Sequence, residues 1–125
     1  MSDRKPIILC VDDEKNPLTL RKMVLERAGY EVLTASCADQ AMQLLASNHV
    51  DLVVSDYLMP GVVGTELARQ IKKRYPALPF VLLSGVNDIP DDASFADLFI
   101  SKVEGPAVMC TKIAAILSSE LRAAE

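Results

Sequence analysis

Residues 53–61 read Val-Val-Ser-Asp-Tyr-Leu-Met-Pro-Gly, and this stretch decides the fold. An apolar run that begins at Leu52 ends abruptly in the acid Asp56, and the turn-forming pair Pro60-Gly61 follows. β-branched residues closed by a Pro-Gly pair are typical of a buried strand that enters a loop. Open α/β sheets place their ligands beyond the carboxyl ends of their parallel strands. The stretch therefore predicts that Asp56 belongs to a functional site.

The size and charge of the chain limit its class. Its 125 residues suit one domain with one core, and a hydrophobic content of 50% argues against global disorder. The net charge of −4 disfavours direct nucleic-acid binding and polybasic membrane attachment, because both need clustered basic residues. We expect a single domain over residues 1–125, with a core over about 7–121, and no output domain.

The cysteines and the amino terminus indicate a cytoplasmic protein. Cys10, Cys37 and Cys110 are widely spaced and form no CxxC pair, so neither a zinc site nor a redox motif is indicated. Residues 1–6 lead straight into a short apolar strand and contain no long apolar stretch. A signal peptide and a transmembrane anchor are therefore disfavoured, and we expect reduced thiols and no membrane association.

Short apolar runs alternate with helical patterns along the chain. The predicted strands cover residues 7–11, 31–35, 51–55, 80–83 and 98–101. Helices are predicted at about 17–28, 39–47, 64–74 and 107–123. In the first helix, apolar residues recur with roughly helical spacing at Leu18, Leu20, Met23, Val24 and Leu25.

This alternation predicts an α/β fold of parallel units with right-handed crossovers. We expect a doubly wound, five-stranded parallel sheet of the flavodoxin type with strand order 2-1-3-4-5. Residues 88–92, Asp-Ile-Pro-Asp-Asp, disfavour a long helix between the fourth and fifth strands, so a shortened or irregular fourth helix is expected there.

Four of the five predicted strands end in reactive side chains. Asp12 and Asp13 follow the first strand, Asp56 the third, Ser84 the fourth and Lys102 the fifth. In the order 2-1-3-4-5 the first and third strands are neighbours about 4.8 Å apart. The three aspartates should therefore form one small cluster.

The charge of this cluster indicates its ligand. Three close carboxylates repel one another, and either a bound proton or a cation must relieve the repulsion. An oxygen-only set built from Asp12, Asp13 and Asp56 favours Mg²⁺. The single histidine, His49, precedes the third strand and falls at the opposite end of the sheet, so a histidine-bearing zinc or iron site is not indicated.

Four motifs stand in order at the predicted strand ends. They are Val11-Asp12-Asp13-Glu14, then 55–61 with Gly64, then Leu83-Ser84-Gly85, then Phe99-Ile100-Ser101-Lys102. In this combination the sequence resembles the CheY-like receiver domains of two-component response regulators. The resemblance extends over nearly the whole chain, from about residue 7 to 121.

The resemblance implies a phosphoryl-accepting signalling switch. Asp56 would take a phosphoryl group from a sensor histidine kinase or a phosphotransfer protein, and the resulting conformational change would alter binding to a downstream effector protein. Asp13, Asp56 and the backbone carbonyl of Leu58 would ligate Mg²⁺ directly, with Asp12 acting through water. The domain would not be an enzyme beyond catalysing its own phosphorylation and dephosphorylation.

The same resemblance gives roles to three further residues. Ser84 and Lys102 would each contact a phosphoryl oxygen, as the positioning and charge stabilisation of phosphoryl transfer require. Phe99 matches the aromatic switch residue, whose ring would turn inward when Ser84 is drawn towards the phosphate.

The sequence departs from the family pattern at two places. Val103 follows Lys102 where receiver domains usually have proline, so we predict a trans bond there, because a cis bond before a non-proline residue costs about 2.5–4 kcal/mol. The segment between Ser84 and Lys102 is short, which changes the usual signalling and dimerising face. The resemblance also implies that Leu58 and Val86 occupy the positions that tune dephosphorylation in the family. Both are apolar and cannot orient an attacking water, which predicts slow self-hydrolysis.

Other functions remain open on the sequence. A degenerate receiver that binds partners without phosphorylation would fit the altered loop at Val103, although the complete set of acids argues against it. A flavodoxin-like cofactor binder would need Gly, Ser or Thr in the loop that holds Asp12 and Asp13. A hydrolase that used Asp56 would need a second acid at the position of Leu58.

Overall fold

The computed structural model describes residues 5–57, 64–84, 96–101 and 104–124. Within these ranges are five strands and four helices, which alternate as far as the fourth strand; the fifth strand and the fourth helix follow. The strands are β1 (Ile7–Val11), β2 (Glu31–Ala35), β3 (Leu52–Asp56), β4 (Phe80–Ser84) and β5 (Leu98–Ser101). The helices are α1 (Lys15–Arg27), α2 (Ala38–Ser47), α3 (Gly64–Arg74) and α4 (Gly105–Ala124). Residues 85–95, where the shortened or irregular fourth helix is predicted, lie outside the described residues.

The strands form one parallel sheet in the order β2-β1-β3-β4-β5, which confirms the predicted topology. Val11 pairs with Ser55 across β1 and β3, and Leu83 pairs with Asp56 across β4 and β3. The third and fourth strands each end one residue later than predicted, so Asp56 and Ser84 are themselves the last residues of β3 and β4. The carboxyl ends of β1, β3 and β4 consequently meet at one edge of the sheet.

Two buried clusters cover the two faces of the sheet. Ile8 and Cys10 belong to the cluster that packs against α1 and α4, whereas Leu9 and Val11 belong to the cluster that packs against α2 and α3. Side chains alternate between the faces of a strand, and both faces here need apolar residues because helices cover both. This explains why the strands appear as continuous apolar runs in the sequence.

The side chains that helix α1 buries differ from the apolar residues that its sequence pattern indicates. Leu18, Arg21 and Leu25 are buried, whereas Leu20 is 62% exposed and Met23 is 47% exposed. Positions i, i+3 and i+7 lie on one face of a helix, and Leu20 and Met23 fall outside that stripe. The core-facing stripe of α1 therefore includes a charged residue, Arg21, that the apolar pattern does not predict.

Two aspartates hold the opposite, amino-terminal edge of the sheet. The carboxylate of Asp51 accepts the backbone N–H of Ile7 at 2.7 Å and lies 2.8 Å from the His49 ring. The carboxylate of Asp97 accepts the backbone N–H of Phe80 at 2.7 Å and pairs with Lys72 at 2.6 Å. His49 is thus placed at the edge away from Asp56, as the sequence indicates.

Candidate functional site

Three carboxylates come together at the carboxyl edge of the sheet. Asp12, Asp13 and Asp56 each offer an oxygen, and these oxygens all lie within 4.8 Å of one another. Asp12 is 1% exposed and Asp56 is 4% exposed, while Asp13 is exposed to solvent. The fold therefore forms the predicted cluster, with two acids in the interior and the third open to solvent.

Asp56 is held by the backbone of two strands. It closes β3 opposite Leu83, and the N–H of the next residue, Tyr57, donates to the Leu83 carbonyl at 2.8 Å. The hydroxyl of Ser55 donates to the Asp56 carbonyl at 3.0 Å. These bonds fix the Cα position of Asp56 and hence the point from which its carboxylate extends.

Ser84 lies on the neighbouring strand at the same edge. It is the last residue of β4, is 2% exposed, and pairs with Ser101 at the end of β5. Because Asp56 is opposite Leu83, Ser84 is one residue further along the adjacent strand. Paired strands are about 4.8 Å apart, so the backbone of Ser84 lies at the same edge of the sheet as the acidic cluster.

Comparison with known proteins identifies the family. The protein-family model for the response regulator receiver domain matches residues 8–114. The chain belongs to the response regulator receiver domain family. It is thus a signalling domain of two-component systems, in agreement with the resemblance seen in the sequence.

Individual relatives agree with this assignment. Transcriptional regulatory protein YvrH of Bacillus subtilis is 34% identical over 122 residues, covering 94% of this chain and 52% of that protein. Alkaline phosphatase synthesis transcriptional regulatory protein PhoP of the same organism is 32% identical over 114 residues, covering 88% of this chain and 48% of that protein. The chain spans about half the length of these two relatives.

A solved structure shows the same fold. Response regulator protein TrrA from Thermotoga maritima, crystallised in complex with Mg²⁺ and BeF, has a TM-score of 0.83 and 31% sequence identity. The match covers 88% of this chain and 97% of that one. Within the described part of this receiver domain, no helix has the length and apolarity needed to cross a membrane.

Three hydrogen bonds hold Asp12 in the receiver's acidic cluster. Its backbone N–H donates to the Ala35 carbonyl at 3.1 Å. Its Oδ1 accepts the backbone N–H of Glu14 at 3.0 Å, and its Oδ2 accepts Nη1 of Arg21 at 3.3 Å. Both carboxylate oxygens of Asp12 therefore have protein partners.

Arg21 is the functional-site residue that sequence reasoning missed. The side chain is 9% exposed although it carries a charge. A signal was available, because Arg21 lies three residues after Leu18 and four before Leu25, on the stripe that faces the core. A charged residue in such a position needs a buried partner, and Asp12 is that partner.

Cys10 lies on β1 below this ion pair. Burial raises the pKa of the Cys10 thiol to about 12, while Arg21 lowers the pKa and Asp12 raises it. The thiol is therefore neutral and unreactive at physiological pH, because the thiolate is the reactive form. None of the three cysteines is in a disulfide, as the sequence analysis expects.

Glu104, the residue directly before α4, makes two contacts that the sequence patterns do not predict. Glu104 accepts the backbone N–H of Ser101 at 3.1 Å and pairs with Lys112 of α4 at 3.1 Å. Hydrogen bonds from the Lys112 ammonium and from the Ser101 N–H lower the pKa of the Glu104 carboxyl. Glu104 thereby connects the end of β5 to α4.

Several predicted site residues cannot be placed in this geometry. Lys102, Leu58 and Val103 lie outside the described residues. Phe99 belongs to β5 and pairs with Leu82, but its side chain is also outside the described part of the structure. Their proposed roles stay predictions, as does the trans bond before Val103.

Proposed function

We propose that this receiver domain accepts a phosphoryl group on Asp56 and passes the signal on through a change in partner binding. The observation that carries the proposal is the cluster in which Asp12, Asp13 and Asp56 offer oxygens within 4.8 Å of one another. Membership of the receiver domain family supports a sensor histidine kinase or a phosphotransfer protein as the donor. A downstream effector protein would read the phosphorylated state.

The reaction on Asp56 is a displacement at phosphorus. A carboxylate oxygen of Asp56 attacks the phosphorus of a phosphohistidine, so a P–O bond forms and the P–N bond breaks. The imidazole nitrogen leaves with the electron pair of the broken bond. The hydrogen bond between Tyr57 and Leu83 keeps Asp56 in place for this attack, and fixed geometry of this kind is most of what phosphoryl transfer needs.

The acidic cluster fits Mg²⁺. The ion prefers oxygen ligands, keeps several waters and binds phosphate oxygens, and it needs only one or two carboxylates from a protein. Asp13, Asp56 and the carbonyl of Leu58 would hold it directly. Asp12 would act through water, as the family resemblance implies, while Glu14 and Arg21 hold its carboxylate in place. Bound there, Mg²⁺ would offset the negative charge of the incoming phosphoryl group.

The remaining roles belong to the edge of β4 and β5. The Ser84 hydroxyl would donate to one phosphoryl oxygen and the Lys102 ammonium to another, and Phe99 would respond to the movement of Ser84. We propose no enzymatic activity beyond phosphorylation and dephosphorylation of the domain itself. We also propose a cytoplasmic location, with neither nucleic acid nor membrane as a direct partner.

Phosphorylation by a small-molecule donor tests the proposal. The protein is incubated with acetyl phosphate and Mg²⁺, and the phosphorylated fraction is measured on a gel that retards phosphoproteins. Asp56→Asn should abolish the retarded band, whereas Asp39→Asn, which changes an exposed acid in the first turn of α2, should not. An unchanged band in Asp56→Asn would overturn the assignment, and a wild-type protein that no donor phosphorylates would favour a phosphorylation-independent binding module.

A further inference from the structure

We propose that Arg21 is a built-in counter-cation of the acidic pocket, a positioning residue that holds Asp12 and weakens the binding of Mg²⁺. The inference rests on the proposed function, because it concerns the metal that the pocket would take. It concerns the affinity and the metal dependence of the site, which the roles of the three aspartates leave open.

The geometry places the guanidinium inside the site. Nη1 of Arg21 lies 3.3 Å from Oδ2 of Asp12, with Arg21 9% exposed and Asp12 1% exposed. The two residues come from different elements, since Arg21 is in α1 and Asp12 follows β1. Asp12 in turn shares the 4.8 Å cluster with Asp13 and Asp56. A permanent positive charge is therefore one side chain removed from the metal position.

The charge of Arg21 is permanent in the biological pH range. Arginine stays protonated in proteins, so its contribution to the pocket does not vary with pH. The thiol of Cys10 on the adjacent β1 is neutral and adds no charge of its own. With Arg21 present, the formal charge of three ionised aspartates is reduced from −3 to −2.

This arrangement has opposite effects on the empty and the metal-bound pocket. Without metal, Arg21 relieves the repulsion among the carboxylates and gives buried Asp12 a charged partner, and removal of one partner of a buried pair is strongly destabilising. With metal, the guanidinium repels the divalent ion. Arg21 therefore stabilises the metal-free protein and lowers its affinity for Mg²⁺.

The consequence is that the protein is stable when the pocket holds no Mg²⁺. The pocket also needs a higher Mg²⁺ concentration to bind the ion than three carboxylates without a neighbouring arginine would need. A ligand that binds only the folded state raises its stability by an amount set by ligand concentration and affinity. Without Arg21, folding should depend on Mg²⁺. With Arg21 present, the stability of the folded protein depends little on whether Mg²⁺ is bound.

The test is a titration of the full chain with Mg²⁺ alone, followed by calorimetry and by thermal unfolding. Arg21→Met should bind Mg²⁺ roughly tenfold more tightly than the wild type, the change expected from one unit charge near a divalent ion in a solvent-accessible pocket. Its melting temperature should fall without Mg²⁺ and recover as Mg²⁺ is added. Arg21→Lys, which keeps the charge, should bind Mg²⁺ with nearly wild-type affinity.

Two further variants keep the test decisive. Lys22→Met removes an adjacent charge that pairs with Glu26 at 3.9 Å on the exposed surface, and it should leave the Mg²⁺ affinity unchanged. Arg21→Gln removes the charge but keeps a hydrogen-bond donor, so it replaces Arg21→Met if that variant fails to fold, and it should also tighten binding.

The possible outcomes separate this inference from the proposed function. Wild-type binding of Mg²⁺ with equal or weaker binding by the neutral Arg21 variants would overturn the inference and leave the metal site intact. Binding by the neutral variants alone would support the inference in its strongest form. Absence of binding in every variant would overturn both.

Discussion

Asp12 and Asp56, which lie at the ends of the adjacent strands β1 and β3, offer carboxylate oxygens within 4.8 Å of each other. Neither side chain is more than 4% exposed, so the fold keeps two mutually repelling acids in its interior. Arg21 and the backbone N–H of Glu14 hold the carboxylate of Asp12. Close like charges lower the stability of a protein, and costs of this kind are typical of functional sites. The predictions below test the function and the cost.

Substitution of Asp13 should affect Mg²⁺ binding without lowering the stability of the protein. Asp13→Asn should weaken Mg²⁺ binding by at least about tenfold because a direct carboxylate ligand is lost. It should leave the metal-free protein equally stable or up to about 1 kcal/mol more stable, because an exposed charge in a repelling cluster is removed. Calorimetric Mg²⁺ titration and urea unfolding measure the two effects.

The matched control for that variant is Glu14→Gln. Glu14 is the next exposed acid in the chain, but it serves Asp12 through its backbone N–H and not through its carboxylate. The Mg²⁺ affinity of Glu14→Gln should therefore match that of the wild type. Equal loss of binding in the two variants would indicate a general charge effect and would count against a ligand role for Asp13.

Asp97 should contribute to stability at the edge away from the site. Asp97→Ala leaves the buried backbone N–H of Phe80 without its acceptor and removes the ion-pair partner of Lys72, which should cost about 1–3 kcal/mol of unfolding free energy. Asp97→Asn keeps an oxygen acceptor for Phe80 and should lose less. Urea unfolding in the absence of Mg²⁺ gives both values, and equal losses would show that the charge alone matters.

Glu104 predicts a pH dependence of stability. Its pKa is lowered below the usual 4.5 in the folded protein, by the hydrogen bonds from Lys112 and from the Ser101 N–H. A lowered folded-state pKa stabilises the protein above the unfolded-state pKa, and this stabilisation is lost as the pH falls through the folded-state value. Below about pH 4.5, the stability of the wild type should therefore fall more steeply with decreasing pH than the stability of Glu104→Gln.

Lys112→Met supplies the control for Glu104. It removes the first cause of the lowered pKa while leaving the carboxyl group in place. The stability profile of this variant should also be flatter in acid than that of the wild type. Identical slopes in all three proteins, measured by thermal unfolding across the acid range, would contradict the assignment.

The three thiols should react at very different rates. Burial raises the pKa of Cys10 to about 12, whereas Cys37 is exposed and Cys110 is partly buried. Iodoacetamide at mildly alkaline pH should therefore label Cys37 first and Cys10 only after unfolding. Peptide mass analysis against time measures the order, and labelling of native Cys10 as fast as Cys37 would contradict the described burial.

The sequence predicts the sheet and its acidic cluster because both follow from local patterns. Each strand is a short apolar run, and Asp12, Asp56 and Ser84 stand where those runs end. Once the strand order is known, the positions of these residues follow from the register of parallel strands. The strand bounds agree with the prediction to within one residue.

The contacts that support the cluster are not predictable in the same way. Arg21 reaches Asp12 from a helix, and Glu104 ties Ser101 to Lys112 across a loop. Long flexible side chains can reach several partners, and only the packed fold selects one. The buried face of a helix is also hard to predict. Leu20 is exposed, so an apolar residue in a helix does not by itself define the face that is buried.

The central claim is that Asp56 is the residue that takes the phosphoryl group. The most direct measurement treats the protein with acetyl phosphate and Mg²⁺, reduces the acyl phosphate with borohydride, and locates the resulting homoserine by peptide mass spectrometry. We predict homoserine at position 56 in a Mg²⁺-dependent yield, with none at positions 12 or 13. Homoserine at another aspartate, or an equal yield at 56 without Mg²⁺, would contradict the account.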